Sequence, residues 1–255
     1  MKRVLTAFLW LAVAGVVLTG TPLLAQNKEL NLQLPAGSAA PVLSRDVAKE
    51  ADRRYKIGVQ QGLANRYFEA VESFRQAIAL NPQHPDAHFG LGHAFFDLGR
   101  WAEAAAQLKT AVRLSPKDAD AYHMMGLAYS KLGDYAQATG AFERAVQIKP
   151  DWARAHYDLG NASFKLSDFT VAAGHYAKVT ALKSSDPEAY NDLGAAYGEL
   201  GRYGEAFAAI MKAVKLRPSF AAAHNNLGLI HYRQGRYTQA ADAFRVAFVM
   251  GLMIL

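Results

Sequence analysis

Eight histidines are the residues of this chain whose type could support metal binding or proton transfer, because imidazole does both near neutral pH. His84, His88 and His93 lie close together in the sequence. Pro85, however, breaks any helix that would carry the first two on one face. A zinc site needs three or four converging ligands, so we expect no metal ion at this cluster.

Three of the histidines recur at a fixed interval: His88, His156 and His224 are 68 residues apart. Such regularity predicts a packing position on a repeated helix rather than a catalytic group. Gly90-Leu-Gly92-His-Ala-Phe95 starts like a dinucleotide loop, but it lacks the third glycine and a preceding strand. The sequence contains no Gly-x-Ser-x-Gly elbow, phosphate loop or His-Glu-x-x-His motif. We therefore predict a protein that is not an enzyme and has no cofactor.

The composition is that of a folded, soluble chain without cysteine chemistry. Hydrophobic residues make up 51% and charged residues 20%, which is ordinary for a globular protein. The net charge is +6, but lysine and arginine alternate with acids instead of forming the stripe that nucleic acids require. We expect no nucleic-acid partner. The absence of cysteine excludes disulfides, thiolate catalysis and a lipidated cysteine.

The N-terminal segment has the three parts of a secretory signal. Lys2 and Arg3 precede an apolar run, and a small-residue region ends at Ala25. We predict that residues 1–25 are a signal peptide cut after Ala25, which would lower the net charge to +4. An uncleaved anchor is the alternative, and it is the case in which we expect membrane contact. The protein is thus expected to be exported, to a bacterial periplasm or as a secreted or inner-membrane-anchored protein.

Residues 26–43 are rich in Asn, Pro, Ala and Ser, a composition that predicts a flexible linker. Ser44 is a candidate N-cap for a first helix, with Asp46 in its first turn. We predict that residues 44–255 form one repeat array.

A period of 34 residues governs that array, with blocks that begin at residues 51, 85, 119, 153, 187 and 221. The eighth place of every block is glycine and the twentieth is alanine. The seventeenth place is always aromatic: Tyr67, Trp101, Tyr135, Phe169, Tyr203 and Tyr237. Apolar spacing of three and four residues within each block predicts two amphipathic helices. The array should therefore be all-α, with six helical hairpins.

Residue types at the helix ends agree with this interpretation. Most blocks place a glycine between the two helices, where the left-handed conformation ends a helix. Asn65 tolerates that conformation, and Ser167 fits it less well. We expect Asp86, Asp120 and Glu188 to cap helices. Rings are expected to fill space against the neighbouring hairpin, at Phe74, Phe142, Tyr176 and Phe244.

The block Met125-Gly126…Tyr129…Gly133…Tyr135…Ala138…Phe142…Ala145…Pro150 resembles the tetratricopeptide repeat (TPR). The resemblance covers Ala51 to about Ile254. It implies a right-handed superhelical solenoid of six helix-turn-helix hairpins whose first helices line a concave groove. It also implies a protein-binding scaffold that holds a peptide or helix in this groove.

The resemblance further implies groove positions, and we take ten of them as candidate partner-binding residues. They are Tyr55, Phe89, His123, Tyr157, Asp158, Asn161, Asn191, Asp192, Asn225 and Asn226. The N-terminal half of this set is aromatic. We expect the polar C-terminal half to hydrogen-bond the backbone of an extended peptide, although an ordinary solvated face is the alternative.

Two other functions stay open on the sequence alone. One is a substrate-presenting arm of an enzyme complex, for example of glycosyl-transfer type, whose catalytic part lies on another chain. The other is a self-associating subunit, because the last block ends in apolar residues, Phe248 and Val249 among them, without the polar cap usual in solenoids. A homo-oligomer through this end is therefore a candidate, and docking to a partner or membrane surface and a truncated reading frame are the alternative explanations.

Overall fold

The computed structural model describes residues 44–252. The predicted signal peptide and the predicted linker lie outside this range. The described residues form twelve helices and no strand, as the sequence period predicts. The helices are α1 Arg45–Leu63, α2 Tyr67–Leu80, α3 Pro85–Asp97, α4 Trp101–Leu114, α5 Ala119–Leu132, α6 Tyr135–Ile148, α7 Ala153–Lys165, α8 Phe169–Leu182, α9 Pro187–Glu199, α10 Tyr203–Leu216, α11 Ala221–Arg233 and α12 Tyr237–Leu252.

The helix bounds follow the repeat. Five of the six first helices begin at the first residue of a block, and all six second helices begin at the seventeenth-place aromatic residue. The first block differs because α1 starts earlier, at Arg45, where the Ser44 hydroxyl accepts a hydrogen bond from the Val47 amide. The predicted cap at Ser44 is confirmed.

The predicted positions of the acidic helix caps are wrong, because the capping residues lie two positions earlier in the sequence. Asp118 and Asp186 accept the amide hydrogen bonds that cap α5 and α9, whereas Asp120 and Glu188 lie inside the first helical turn. There they form ion pairs, Asp120 with Lys149 and Glu188 with Arg217. A carboxylate in the first turn still interacts favourably with the helix dipole, which is why both positions attract acids.

Each hairpin closes around its small residues. The twentieth-place alanines are at most 2% exposed, so the two helices of a hairpin pack closely there. A Cβ built on the eighth-place glycine would lie 2.5 to 2.7 Å from a ring atom of Phe74, Phe142, Tyr176 or Phe244 in the same hairpin. Each of these rings therefore packs mainly on the eighth-place glycine of its own hairpin. Phe142 also packs on Leu159 of the next hairpin, so the expected contact with the neighbouring hairpin is part of their role.

Neighbouring hairpins stack in register along the solenoid. Each second helix packs on the next first helix, and four pairs of successive first helices also contact each other, whereas successive second helices make no comparable contact. Elements that approach each other more closely lie on the inner side of a curved stack. We call the surface formed by α1, α3, α5, α7, α9 and α11 the inner face. No helix among residues 44–252 is long and apolar enough to cross a membrane.

Candidate functional site

The N-terminal part of the inner face contains an open cleft of about 470 Å³ between the first two hairpins. We call it the N-terminal cleft. Two of the ten candidate residues, Tyr55 and Phe89, line it. Its other lining residues are Gly58, Val59, Gly62, Leu63, Asn65, Tyr67, Phe74, Gly90, His93, Ala94 and Asp97. Most of this surface is apolar, so the cleft could bury an apolar side chain of a partner.

The floor of the cleft is the ring of Phe74. Side chains at Gly58 and Gly90 would collide with it, because a built Cβ would lie 2.7 and 2.6 Å from its ring atoms, respectively. Gly62, by contrast, has no heavy atom within 4 Å of a built Cβ. Gly62 therefore borders open space, and the missing side chains on α1 and α3 are what keep the cleft accessible.

Leu63 makes the cleft continuous with an exposed apolar edge. Its side chain lines the cleft and is 82% exposed, although leucine usually lies inside a folded domain. Phe68, at the start of α2, is 75% exposed. Exposed apolar groups around a cleft commonly mark a contact surface.

The C-terminal part of the inner face is organised differently, as a polar ladder of three hydrogen bonds. His123 Nε2 donates to Asp158 at 2.8 Å, Tyr157 Oη donates to Asp192 at 2.6 Å, and Asn226 Nδ2 donates to Asn191 at 2.9 Å. Each bond joins the fifth place of one block to the sixth place of the next, 35 residues apart. The ladder therefore ties hairpins three to six together.

The first hydrogen bond of the ladder, between His123 and Asp158, is buried. His123 lies between the rings of Phe142 and Trp152, with centroid distances of 5.5 and 4.6 Å. Asp158 is 7% exposed and also accepts a hydrogen bond from Arg154 Nε at 2.8 Å. A buried carboxylate requires such donors, because an unpaired charge in the interior is strongly unfavourable. Asp158 is thus held by the protein itself.

At the second hydrogen bond of the ladder, between Tyr157 and Asp192, burial and hydrogen bonding have opposite effects on the pKa of Asp192. Burial raises the pKa of the Asp192 carboxyl above its usual range, while the hydrogen bonds from Tyr157 and Asn191 favour the ionised form. Burial also raises the pKa of the Tyr157 hydroxyl, and its bond to Asp192 adds to this. The phenol therefore stays protonated at neutral pH and acts as the donor.

These contacts change the expectation for the polar half of the candidate set. Asp158 and Asn191 are buried, and Asn161 accepts a hydrogen bond from Tyr176 Oη at 2.8 Å. Asn225 is the one exposed polar member of this half. The groups expected to hydrogen-bond a peptide are instead largely engaged inside the solenoid. Partner binding by the ten residues stays a prediction, and the geometry favours Tyr55 and Phe89.

The regularly spaced histidines have a shared structural partner. Nε2 of His88, His156 and His224 lies 2.9 to 3.1 Å from the carbonyl oxygens of Pro82, Pro150 and Pro218, respectively. The imidazole thus donates to the loop that precedes its own helix. The packing role predicted from the 68-residue interval agrees with this geometry.

The three clustered histidines face different partners. His84 Nδ1 accepts from the Ala87 amide and so caps α3, while its Nε2 lies 3.2 Å from Asp52. His88 Nδ1 contacts Gln107, and His93 lies 3.0 Å from Asp97 on the wall of the N-terminal cleft. No group of three or more potential ligands converges among residues 44–252.

The ten candidate partner-binding residues do not include several residues that line the cleft. Val59 and His93 occupy the ninth place of their blocks, and Leu63 and Asp97 occupy the thirteenth. Places five, nine and thirteen are four residues apart and therefore lie on one face of the helix. Extending the candidate set from place five along that face would have found all four residues. The cross-hairpin bonds of the ladder also have a sequence signal, namely hydrogen-bonding side chains at place five of one block and at place six of the next.

Family models match most of the array. A model described as TPR repeat matches residues 63–99 and 92–133, and a model described as tetratricopeptide repeat matches residues 123–187 and 191–248. Among curated proteins, no sequence matches this chain.

Solved structures of TPR proteins share the fold. A crystal structure of MamA protein is 24% identical and has a TM-score of 0.63, covering 68% of this chain and 94% of its own. Residues 41 to the end of MamA from Desulfovibrio magneticus RS-1 are 26% identical, with a TM-score of 0.62 and coverage of 66% and 96%. YrrB, described as a TPR protein with an unusual peptide-binding site, is 20% identical, with a TM-score of 0.65 and coverage of 72% and 97%.

The stacked hairpins and the accessible inner face define a helical-repeat protein that acts as an interaction scaffold. The chain belongs to the tetratricopeptide-repeat family. Members of this family are typically scaffolds rather than catalysts.

Proposed function

We propose that this protein is an exported, non-catalytic scaffold that binds a segment of another protein on its inner face, mainly in the N-terminal cleft. The observation that carries the proposal is the difference between the two halves of that face. The cleft is open and largely apolar, whereas the ladder residues already bond one another. Burial of apolar surface in the cleft supplies the larger driving force for binding.

The proposed occupant is an extended or helical peptide segment. A cleft of about 470 Å³ accommodates one or two side chains rather than a folded domain. The exposed edge at Leu63 leaves room for the segment to continue beyond the cleft. YrrB, which shares the fold, has a peptide-binding site by its description, which agrees with this proposal.

Export is part of the proposal and rests on the N-terminal signal pattern that ends at Ala25. A mature chain that begins at Gln26 would carry the array into the periplasm of a bacterium.

Self-association is a second candidate property, because Phe248 and Val249 on α12 are 68% and 47% exposed. A folded array that self-associates through α12 would still present the N-terminal cleft to a partner.

Site-specific photocrosslinking in the source organism tests the proposed function. A photoreactive amino acid is placed at Leu63 in the cleft or, as a control, at Met211, which is 40% exposed on the second helix α10. We expect a discrete crosslinked partner from position 63 and none from position 211. Adducts from position 211 alone would contradict binding on the inner face.

The same experiment separates the alternatives. Several unrelated partners at position 63 indicate a scaffold, and a single catalytic protein indicates a substrate-presenting arm. Mass spectrometry of the recovered chain measures its N-terminus, which we expect at Gln26. A chain that keeps residues 1–25 would instead be membrane-anchored.

A further inference from the structure

The N-terminal cleft combines an apolar interior with acidic groups, and this combination restricts what can bind there. Asp97 forms part of its wall, and its side chain is 27% exposed. Tyr55 is half-buried in the cleft, and burial together with the charge of Asp86 raises the pKa of its hydroxyl. Asp52 lies 3.2 Å from His84 Nε2, and the His84 ring lies 5.1 Å from that of Tyr55.

The cleft has an acidic wall, because Asp97 lines it and no lysine or arginine does. Asp86 and Asp52 lie near Tyr55 but do not line the cleft. Of the two cations that flank Tyr55 on α1, Arg54 pairs with Glu50 and Lys56 is exposed. His93 lies 3.0 Å from one oxygen of Asp97. A second donor can still approach the carboxylate, because a carboxylate accepts several hydrogen bonds through its two oxygens. A cationic ligand group would be attracted here and an anionic one repelled.

The aromatic walls favour the same ligand chemistry. Tyr55 and Phe89 present rings from opposite hairpins, and an arginine or lysine can lay its aliphatic stem on such rings while its charged end reaches a carboxylate. Leu63, Val59 and the Phe74 floor supply a purely apolar surface beside them. One apolar side chain and one basic side chain thus find complementary places within one cleft.

We propose that the N-terminal cleft recognises a partner segment in which a large apolar residue lies next to an arginine or lysine. This inference rests on the proposed function, since it names the chemistry of the segment that the inner face binds. The apolar side chain packs on Phe74 and Leu63, and the cation bonds Asp97. An arginine can form two parallel hydrogen bonds to this carboxylate, which makes it the stronger of the two cations.

A random dodecapeptide library displayed on phage and selected on the purified full chain tests this proposal. The enriched peptides are then synthesised with a fluorescent label, and their affinities are measured by fluorescence anisotropy. We expect enrichment of peptides with an apolar residue beside arginine or lysine, and binding that weakens as salt is raised, because exposed charges are screened.

Two variants separate the apolar and the charged parts of the site. L63S should weaken binding about tenfold, because it removes apolar contact area from the cleft. D97N should also weaken the basic peptides about tenfold and leave peptides with glutamine in place of the cation unchanged. L132S is the matched control for L63S, because Leu132 also ends a first helix, α5, and is exposed but does not line the cleft. Circular dichroism of each variant verifies that the helices are retained.

The outcomes distinguish this inference from the proposed function. Enriched peptides that are acidic or uncharged, and that respond to L63S but not to D97N, would overturn the inference and leave the proposed function in place. Peptides unaffected by L63S but lost in N225A would place binding in the C-terminal half and overturn both. Failure to enrich any peptide on the full chain would also overturn both.

Discussion

Two of the six turns between paired helices carry a side chain in the left-handed backbone region. Asn65 has a φ of 58° and Ser167 a φ of 62°, while the other four turns use glycine at φ of 72° to 77°. The left-handed region brings Cβ close to the following carbonyl oxygen. Asparagine is better adapted to it than serine, because its side chain can bond locally. Tyr67 Oη in fact donates to the Asn65 side chain at 2.8 Å.

Ser167→Gly should therefore stabilise the protein. Relief of the left-handed strain is worth about 1–2 kcal/mol, and the greater flexibility of glycine in the unfolded chain offsets roughly 0.5–1 kcal/mol of it. We expect a net increase in the free energy of unfolding of about 0.5–1 kcal/mol, measured by urea denaturation. Asn65→Gly, the matched control, should change it by less. An equal or larger gain at Asn65 would contradict the strain argument.

At the scale of the helix, the position of a glycine decides whether it stabilises the hairpin or weakens it. Gly126 in α5 faces the Phe142 ring, and a built Cβ would lie 2.5 Å from it. Gly140 in α6 is exposed, with no heavy atom within 4 Å of a built Cβ. Both are inside helices, so alanine gains the same helix propensity at each position. They differ only in what the added methyl group meets.

Gly126→Ala and Gly140→Ala should consequently change stability in opposite directions. We expect the first to destabilise the protein by about 1–2 kcal/mol, since forcing extra volume into a packed core displaces a ring. The second should stabilise it by roughly 0.5–1 kcal/mol. Thermal denaturation followed by circular dichroism measures both. Stabilisation by both substitutions would show that Phe142 does not pack on Gly126.

At the scale of the whole molecule, the inner face has two parts that differ in the side-chain hydrogen bonds between neighbouring hairpins. At the first two junctions the fifth- and sixth-place pairs are Tyr55 with Gly90 and Phe89 with Met124, which cannot form a side-chain hydrogen bond. At the last three junctions the polar ladder connects the hairpins. In a repeat array the stability is roughly a sum of single repeats and their interfaces. The ladder thus stabilises the C-terminal interfaces and leaves the first ones more accessible.

Tyr157→Phe should loosen the C-terminal part without affecting the first hairpins. The change removes the 2.6 Å bond to Asp192 and leaves a partly buried carboxylate without one of its donors, at a cost of about 1–3 kcal/mol. We expect faster amide hydrogen exchange in α7 to α10 and unchanged exchange in α1 to α4, because each repeat contacts mainly its neighbours.

Tyr190→Phe is the control for this measurement. Tyr190 lies on α9, and its hydroxyl bonds no residue within the part of the chain that the structure describes. Its loss should leave exchange close to that of the unmodified protein. Uniformly faster exchange along the solenoid in Tyr157→Phe would contradict a local role for the ladder.

The repeat period alone determined most of the architecture. Glycine at place eight, an aromatic residue at place seventeen and alanine at place twenty recur without a gap, and helix bounds depend on such local patterns. The family and the fold were therefore predictable, as were Tyr55 and Phe89 as candidates on the inner face. The cap positions were missed by two residues because first-turn and capping acids are equally favoured near a helix N-terminus.

The tertiary structure alone decided which polar side chains of the inner face are available to a partner and which are bonded within the solenoid. Asp158, Asp192 and Asn226 share one place in the repeat, and the sequence treats them as equivalent members of a groove. Their partners lie 35 residues earlier, so their hydrogen bonds exist only once hairpins stack in register. The cleft arises in the same way, from the absence of side chains on two helices that meet in space. Contacts between distant residues depend on that stacking geometry, which residue types at single positions do not specify.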